Sequence, residues 1–266
     1  MNTFQIIVLG IIQGLTEFLP ISSSGHLILV PKIFGYTDQG IVFDIAVHLG
    51  SLFAVALYFR GDLCTMLSSI LSFQKKNNDK DFKLFAHLII ATLPAVFMGY
   101  FLSDLIEEKL RNPLIIASTL FFFGALMWIA DKRSVRQDTI YQLDFSKALI
   151  IGIAQSIALI PGTSRSGITM TAALFLGLNK QDAAKFSFLL SIPVILLASG
   201  YKFFQILFEG ADVIWGELLI GVVVAFFVAY LSIGIFMKIL RNFGLIPFAI
   251  YRIILGLGIF YLFLEI

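Results

Sequence analysis

Glu17, His26 and Arg165 are ionisable side chains set in stretches that are otherwise small or apolar. Glu17 and His26 bracket the turn Ser22-Ser23-Ser24-Gly25. Arg165 sits in a second turn, Thr163-Ser164-Arg165-Ser166-Gly167, with Thr169 just beyond it. A carboxylate serves as base or metal ligand, and an imidazole as nucleophile or general acid. A guanidinium offers a planar fork suited to phosphate oxygens. Helices that begin at Gly25 and Gly167 would add free N–H groups and the positive end of the helix dipole. Together these groups ask for a phosphorylated ligand: Ser22, Ser23, Glu17 and His26 for chemistry, Ser24, Gly25, Ser164, Arg165, Ser166, Gly167 and Thr169 for holding phosphate. Gln13 lies one helical turn before Glu17 and shares its face. It can orient a water, a metal or the carboxylate, without adding charge.

The surrounding sequence belongs in a membrane. Of 266 residues 59% are hydrophobic and 14% charged, where a soluble domain carries roughly 25% charged residues. A net charge of +2 gives no argument for nucleic acid. Cys64, the single cysteine, excludes an internal disulfide. The start, Met1-Asn2-Thr3, lacks the basic region of a cleaved signal. Crossing the hydrocarbon takes about 20 apolar residues as a helix, and six stretches qualify: 43–59, 84–103, 113–130, 186–206, 214–234 and 246–264. Two others, 4–19 and 145–160, are too short, and each runs through a glutamine into Pro20 or Pro161 and then the polar turn. That pattern predicts a re-entrant hairpin, whose irregular backbone is tolerated only where protein or a wet cavity surrounds it.

The two hairpins repeat one another. Gln13 to Gly25 has the spacing of Gln155 to Gly167, and Ser22, Ser24 and Gly25 fall on Ser164, Ser166 and Gly167. A fainter echo pairs Pro113 and Gly124 with Pro247 and Gly258. The expected fold is therefore an all-α polytopic membrane protein in one membrane domain, 1–266. Each repeat, about 1–131 and 144–266, is one re-entrant hairpin plus three transmembrane helices. Three crossings are odd in number, so the second copy has inverted topology, an arrangement that brings broken helices together near the midplane.

Basic residues set the orientation. Arg60, Lys75, Lys76, Lys80, Lys83, Lys132, Arg133, Arg136, Lys147, Lys180, Lys185, Lys238 and Arg241 collect on one side, against Lys32, Lys109, Arg111 and Lys202 on the other. The first side is expected to be cytoplasmic, with 75–83 a solvated loop and both termini outside.

Blander roles compete with these. Glu17 and Arg165 can form a purely structural ion pair, and His26 can cap a helix. His48 and His87 read as structural. Arg252 either touches the site or pairs with a carboxylate, and Asp44 and Asp144 read as N-caps.

Gln13-Gly-Leu-Thr-Glu17-Phe-Leu-Pro20-Ile-Ser22-Ser-Ser-Gly-His26 and Pro161-Gly-Thr-Ser164-Arg165-Ser-Gly-Ile-Thr169 resemble the two signature motifs of the bacterial undecaprenyl pyrophosphate phosphatase family, associated with bacitracin resistance. The resemblance extends to Ile246-Pro-Phe-Ala-Ile-Tyr-Arg252. It implies a plasma-membrane enzyme that hydrolyses undecaprenyl diphosphate to the monophosphate, recycling the lipid carrier for cell-wall synthesis. It also implies help from a divalent cation, Mg or Ca. Where the family carries Glu or Gln before the motif glutamate this chain has Gln13, which leaves Glu17 as the main acidic group and metal ligand. The family's serine and histidine fall on Ser22, Ser23 and His26, its arginine on Arg165, with Gln13 and Arg252 in support. Phosphatidic-acid-type lipid phosphatases are excluded, because the position that should hold their second histidine is Thr171. The expected partners are the polyprenyl diphosphate lipid and the bilayer, with a homodimer left open and no nucleic acid. The active site is expected to open to the outer side. The rival function is a flippase for a polyprenyl phosphate.

Overall fold

The computed structural model describes residues 1–36, 39–71, 79–105, 109–110, 112–134, 137–209 and 214–264, with only the backbone at 103–105, 202 and 205–209. Lys75, Lys76, Arg111, Arg136 and the Lys202 side chain lie outside the described residues.

The chain breaks where its turns predict. Helix α1, Thr3–Thr16, is capped by Asn2, whose side chain accepts from Gln5 N at 2.7 Å. It stops ahead of Pro20, and α2, Ser23–Phe34, starts on Ser22. In the second half α7, Phe145–Ser156, passes through a 3-10 turn at 157–159 to Pro161 before α8, Arg165–Phe175, starts on Ser164. At 1.5 Å per residue these arms reach about 16–21 Å, short of the roughly 30 Å hydrocarbon core.

Among the described residues, six helices are long and apolar enough to cross a membrane: α3 (Gly40–Tyr58), α5 (Lys80–Leu105), α6 (Pro113–Arg133), α9 (Lys180–Glu209), α10 (Trp215–Phe243) and α11 (Ile246–Leu264). They are the six stretches expected from hydropathy, so this is a polytopic, all-helical membrane protein. The sequence reading missed α4, Arg60–Leu71. It is too short to span and packs only a few residues, Met66 among them, against the core.

The halves are interlocked. Arm α1 of the first hairpin seats on α10 of the second half, and arm α7 of the second hairpin on α5 of the first. Small residues permit the close approach. A Cβ at Gly14 would stand 2.8 Å from the Ala225 carbonyl oxygen, and one at Gly152 2.6 Å from that of Ala91. This exchange of partners is compatible with inverted repeats. Where α6 meets α11, Gly124 seats on Ala249, Arg252 and Ile253 and Gly256 on Ala117 and Phe121, while Gly258 meets nothing. Below the turns an aromatic chain, Phe18–Phe188–Phe236–Phe248, joins both halves with ring centroids 5.2–5.4 Å apart.

The basic ends of the helices are tied by ion pairs. Asp131 at the end of α6 binds Lys180 at 2.8 Å and accepts from Leu245 N at 2.9 Å. Lys185 pairs with Asp62 at 2.5 Å. Asp144 caps α7 as expected, through Lys147 N at 2.8 Å. Asp44 lies inside α3 and does not cap it; its carboxylate accepts from Gln39 at 2.8 Å.

If α5 spans the bilayer, residues at its two ends face opposite compartments. In a Cys64→Ser background, Lys80→Cys and Asn112→Cys should be labelled by an impermeant thiol reagent from opposite sides. Labelling of both in intact cells would contradict this crossing.

Candidate active site

Glu17 ends α1, where its N–H still bonds Gln13 O, and its side chain is buried at the meeting of the two turns. Arg165 reaches it from the other half, Nη2 donating to Oε1 at 2.8 Å. Ser23 Oγ donates to Oε2 at 2.7 Å, Gln13 Nε2 to the same oxygen at 3.0 Å, and His48 Nε2 stands 3.4 Å from it. Ser23 and Arg165 are each the first residue of their helix and occupy equivalent places in the repeat. The matched spacing of the two turns therefore delivers both to one carboxylate. Arg165 is held in turn by the Ser187 carbonyl, 3.1 Å from Nη1, with its guanidinium 6.0 Å from the Phe18 ring centroid.

The turns are built alike. Ser22 and Ser164, at φ 76° and 69°, are the two non-glycine residues with positive φ among those described. Such a conformation costs on the order of 1–3 kcal/mol. Each serine recovers part of it by capping its helix, Ser22 Oγ accepting from Gly25 N at 3.3 Å and Ser164 Oγ from Gly167 N at 3.1 Å. The first amides of a helix have no intrahelical acceptor, so two N-termini begin at one wall.

Between them lies a cavity of about 320 Å³. Glu17, Ser22, Ser23, Ser24, Ser164 and Arg165 form its polar floor. Its walls are mostly apolar, with Ile41 and Ile45 on α3, Ala95 on α5, and Val194, Ile195 and Ala198 on α9, interrupted by Asp44 and His48 of α3 and by Gln155. Leu159, at the repeat position of Glu17, also lines it. The hairpins thus supply one carboxylate and not a mirror pair; the other acidic residue of the lining, Asp44, comes from α3.

Other expected residues stand behind this wall. Ser166 donates to Leu19 O at 3.1 Å, and Thr169 bonds Arg165 O at 2.8 Å and Ser187 Oγ at 2.7 Å. Gly25 packs toward Gly162, and a Cβ at Gly167 would meet Arg252. His26 faces another way. Its Nδ1 is 2.7 Å from the Ser22 carbonyl, which only accepts, so Nδ1 carries the proton and Nε2 accepts from the Tyr251 hydroxyl at 2.8 Å. The His26 and Tyr251 rings stack with centroids 5.9 Å apart.

Arg252 neither enters the cavity nor pairs with a carboxylate. It is wholly buried, and its Nη atoms bind the carbonyls of Pro20 (3.3 Å), Gly162 (3.1 Å), Thr163 (2.7 Å) and Thr119 (3.4 Å). One side chain thus clasps both turns.

His48, read as structural from the sequence, stands in the cavity wall. It lines the cavity from α3, its Nδ1 donating to Asp44 O at 2.7 Å. Forty-eight is far from either motif, and nothing local distinguishes it from a packed histidine. For a metal, no group of three or more His, Cys, Asp or Glu side chains gathers among the described residues. Around Glu17 itself two oxygens are suited to a hard cation: Glu17 Oε1, which accepts from Arg165, and Gln13 Oε1, buried without a hydrogen-bond partner. That pair cannot supply the six to eight oxygens of a Ca²⁺ cage. It fits Mg²⁺, which keeps waters and uses one or two carboxylates plus substrate phosphates.

The family profile described as "Bacitracin resistance protein BacA" matches residues 6–258. The chain belongs to this family. It is 50% identical over 260 residues to Undecaprenyl-diphosphatase 1 of Pseudoalteromonas translucida (strain TAC 125), covering 97% of this chain and 98% of that protein. It is 49% identical to the undecaprenyl-diphosphatase of Alcanivorax borkumensis (strain ATCC 700651 / DSM 11573 / NCIMB 13689 / SK2), over 98% of this chain and 99% of the relative. To that of Teredinibacter turnerae (strain ATCC 39867 / T7901) it is 48% identical, with the same coverage. The family match takes in both hairpin turns and reaches all six long helices.

Arg252→Leu strips the buried turn carbonyls of Pro20, Gly162 and Thr163 of this donor, at about 1–3 kcal/mol for each left unsatisfied. The variant should lose several degrees or more of melting temperature in detergent, although Arg252 does not touch the cavity. An unchanged melting curve would show that the clasp is dispensable.

Proposed function

We propose that this protein is an undecaprenyl-diphosphatase, hydrolysing the terminal phosphoanhydride of undecaprenyl diphosphate to leave undecaprenyl phosphate and inorganic phosphate. In the cell this returns the lipid carrier to cell-wall synthesis. One observation carries the chemistry: Ser23 donates its hydroxyl hydrogen to Glu17 while Arg165 holds the other carboxylate oxygen, all on the floor of an apolar-walled cavity. The relatives named for this activity match over nearly their whole length.

The diphosphate head is strongly anionic, and its charge must be offset before anything attacks phosphorus. Arg165 and the two helix N-termini do this. Mg²⁺, held by Glu17 and Gln13 Oε1 with the phosphates themselves, would supply further charge neutralisation. Ser23 is the nucleophile in this reading. Its proton passes to Glu17 as Oγ bonds the terminal phosphorus, and the anhydride P–O bond breaks with its electron pair leaving on the lipid monophosphate. Water then cleaves the phosphoserine, losing a proton to the solvent while Glu17 returns its own to Ser23. His26, turned to Tyr251, acts as a positioning residue that holds the strained Ser22 carbonyl. The lipid-transport reading uses the same anion site but gives no role to the Ser23–Glu17 hydrogen bond.

The site opens outward in this reading, in the plasma membrane. Its walls come from the first turns of α3, at Ile41 to His48, and from the middle turns of α9, at Val194 to Ser199. These are the parts remote from Arg60, Lys80 and Lys180, the side that the basic residues assign to the cytoplasm.

The test is phosphate release from C55 and C15 diphosphates by purified protein, with and without chelator. Wild type should release phosphate in detergent, where a flippase has no bilayer to act on. Arg165→Lys should fold and insert yet lose at least about tenfold in rate, because an ammonium cannot reproduce the paired bonds of the guanidinium. No release by wild type would sink the assignment, and unchanged kinetics in Arg165→Lys would remove Arg165 from the phosphate site.

A further inference from the structure

We infer that His48 is a positioning residue of the reaction, fixing the Glu17 oxygen that faces Ser23. The inference rests on the diphosphatase reading and concerns a side chain outside both sequence motifs.

A carboxylate rotates readily about its last bond, and a base works only when the correct oxygen faces the proton it takes. Glu17 Oε1 is held by Arg165. Oε2, the oxygen bonded by Ser23, is flanked by Gln13 at 3.0 Å and His48 at 3.4 Å. Gln13 approaches along α1, one turn earlier on the same helix. His48 approaches from α3 and is partly open, at 28% side-chain exposure, where Glu17 is 6% exposed. The imidazole is not free to wander. Asp44 O accepts from Nδ1 at 2.7 Å, which fixes the ring and turns Nε2 toward the carboxylate. Gln13 donates to Oε2 from α1, and His48, with Nδ1 donating to Asp44 O, faces Oε2 from α3 as an ion-pair partner whose Nε2 donates when both ring nitrogens carry protons, so α3 takes part in aligning the base. Among the residues lining the cavity His48 is the one imidazole, since His26 is occupied with Ser22 and Tyr251.

A positioning role makes a specific demand: an N–H donor where Nε2 stands. A glutamine amide can place one there, an asparagine is one bond too short, and a methionine fills the space without a donor. The experiment compares steady-state hydrolysis of farnesyl diphosphate by full-length wild type, His48→Gln, His48→Asn and His48→Met in detergent, with melting temperatures measured alongside. A misplaced catalytic group costs up to about 100-fold. His48→Met and His48→Asn should lose about 10- to 100-fold in kcat with KM within about twofold, while His48→Gln stays within about threefold of wild type. If His48→Met fails to fold, His48→Asn against His48→Gln decides the same point. Equal kcat in all folded variants overturns the inference, as does a loss confined to KM, which would make His48 a substrate contact. Loss of activity in His48→Gln as severe as in His48→Asn overturns it too. Inactive wild type would instead sink the diphosphatase reading itself.

Discussion

A carboxylate buried in an apolar interior persists only when something meets its charge, and here Arg165 meets the charge of Glu17 from the opposite half of the chain. Desolvating both ions cancels much of their attraction, so the pair adds little net stability. Removing either partner, however, strands a buried charge, at about 3–5 kcal/mol. The pair therefore acts as a constraint. The two hairpin turns must meet, the hairpin arms must be short enough to end inside the molecule, and the arms must be seated by helices of the other repeat.

The same constraint explains the buried polar groups around it. Turns within a membrane protein have carbonyls that water cannot reach. Arg252 supplies donors to three of them, on Pro20, Gly162 and Thr163, along with Thr119 O. Ser22 and Ser164 accept strained backbone so that their hydroxyls can cap the helices that begin at the site. His26 holds the Ser22 carbonyl from the side away from the cavity. Stability and function are thus not separable here: the groups that satisfy the turns also fix where a phosphate can sit.

Much of this was legible in the sequence because the signals were local. Six apolar runs, two short runs ending in Pro20 and Pro161, and the matched spacing of Gln13–Gly25 and Gln155–Gly167 predicted the helices and the hairpins. Glu17, Ser23 and Arg165 were legible because charged and hydroxylic residues in apolar turns need a reason. What could not be read depended on contacts between distant helices. His48 looks like any histidine on an apolar helix until α3 is laid beside α1. The direction of His26 depends on Tyr251, 225 positions away. Arg252 suggested a carboxylate partner because sequence shows acids readily and shows free carbonyls not at all. Helix α4 was hidden because its 12 residues lack the length and apolarity of a span.

The claim on which the rest stands is that Glu17 and Ser23 act together on the phosphate. Its most direct measurement is single-turnover hydrolysis by Glu17→Gln, Ser23→Ala and the double variant, with lipid diphosphate binding measured separately. Residues that act as a unit fail together. The expected result is a loss of about 100-fold or more in each single variant, a double variant hardly slower than either, and binding little changed. Additive losses, or normal turnover at saturating lipid with weakened binding, would contradict a Ser23–Glu17 pair and leave both residues as parts of a binding site.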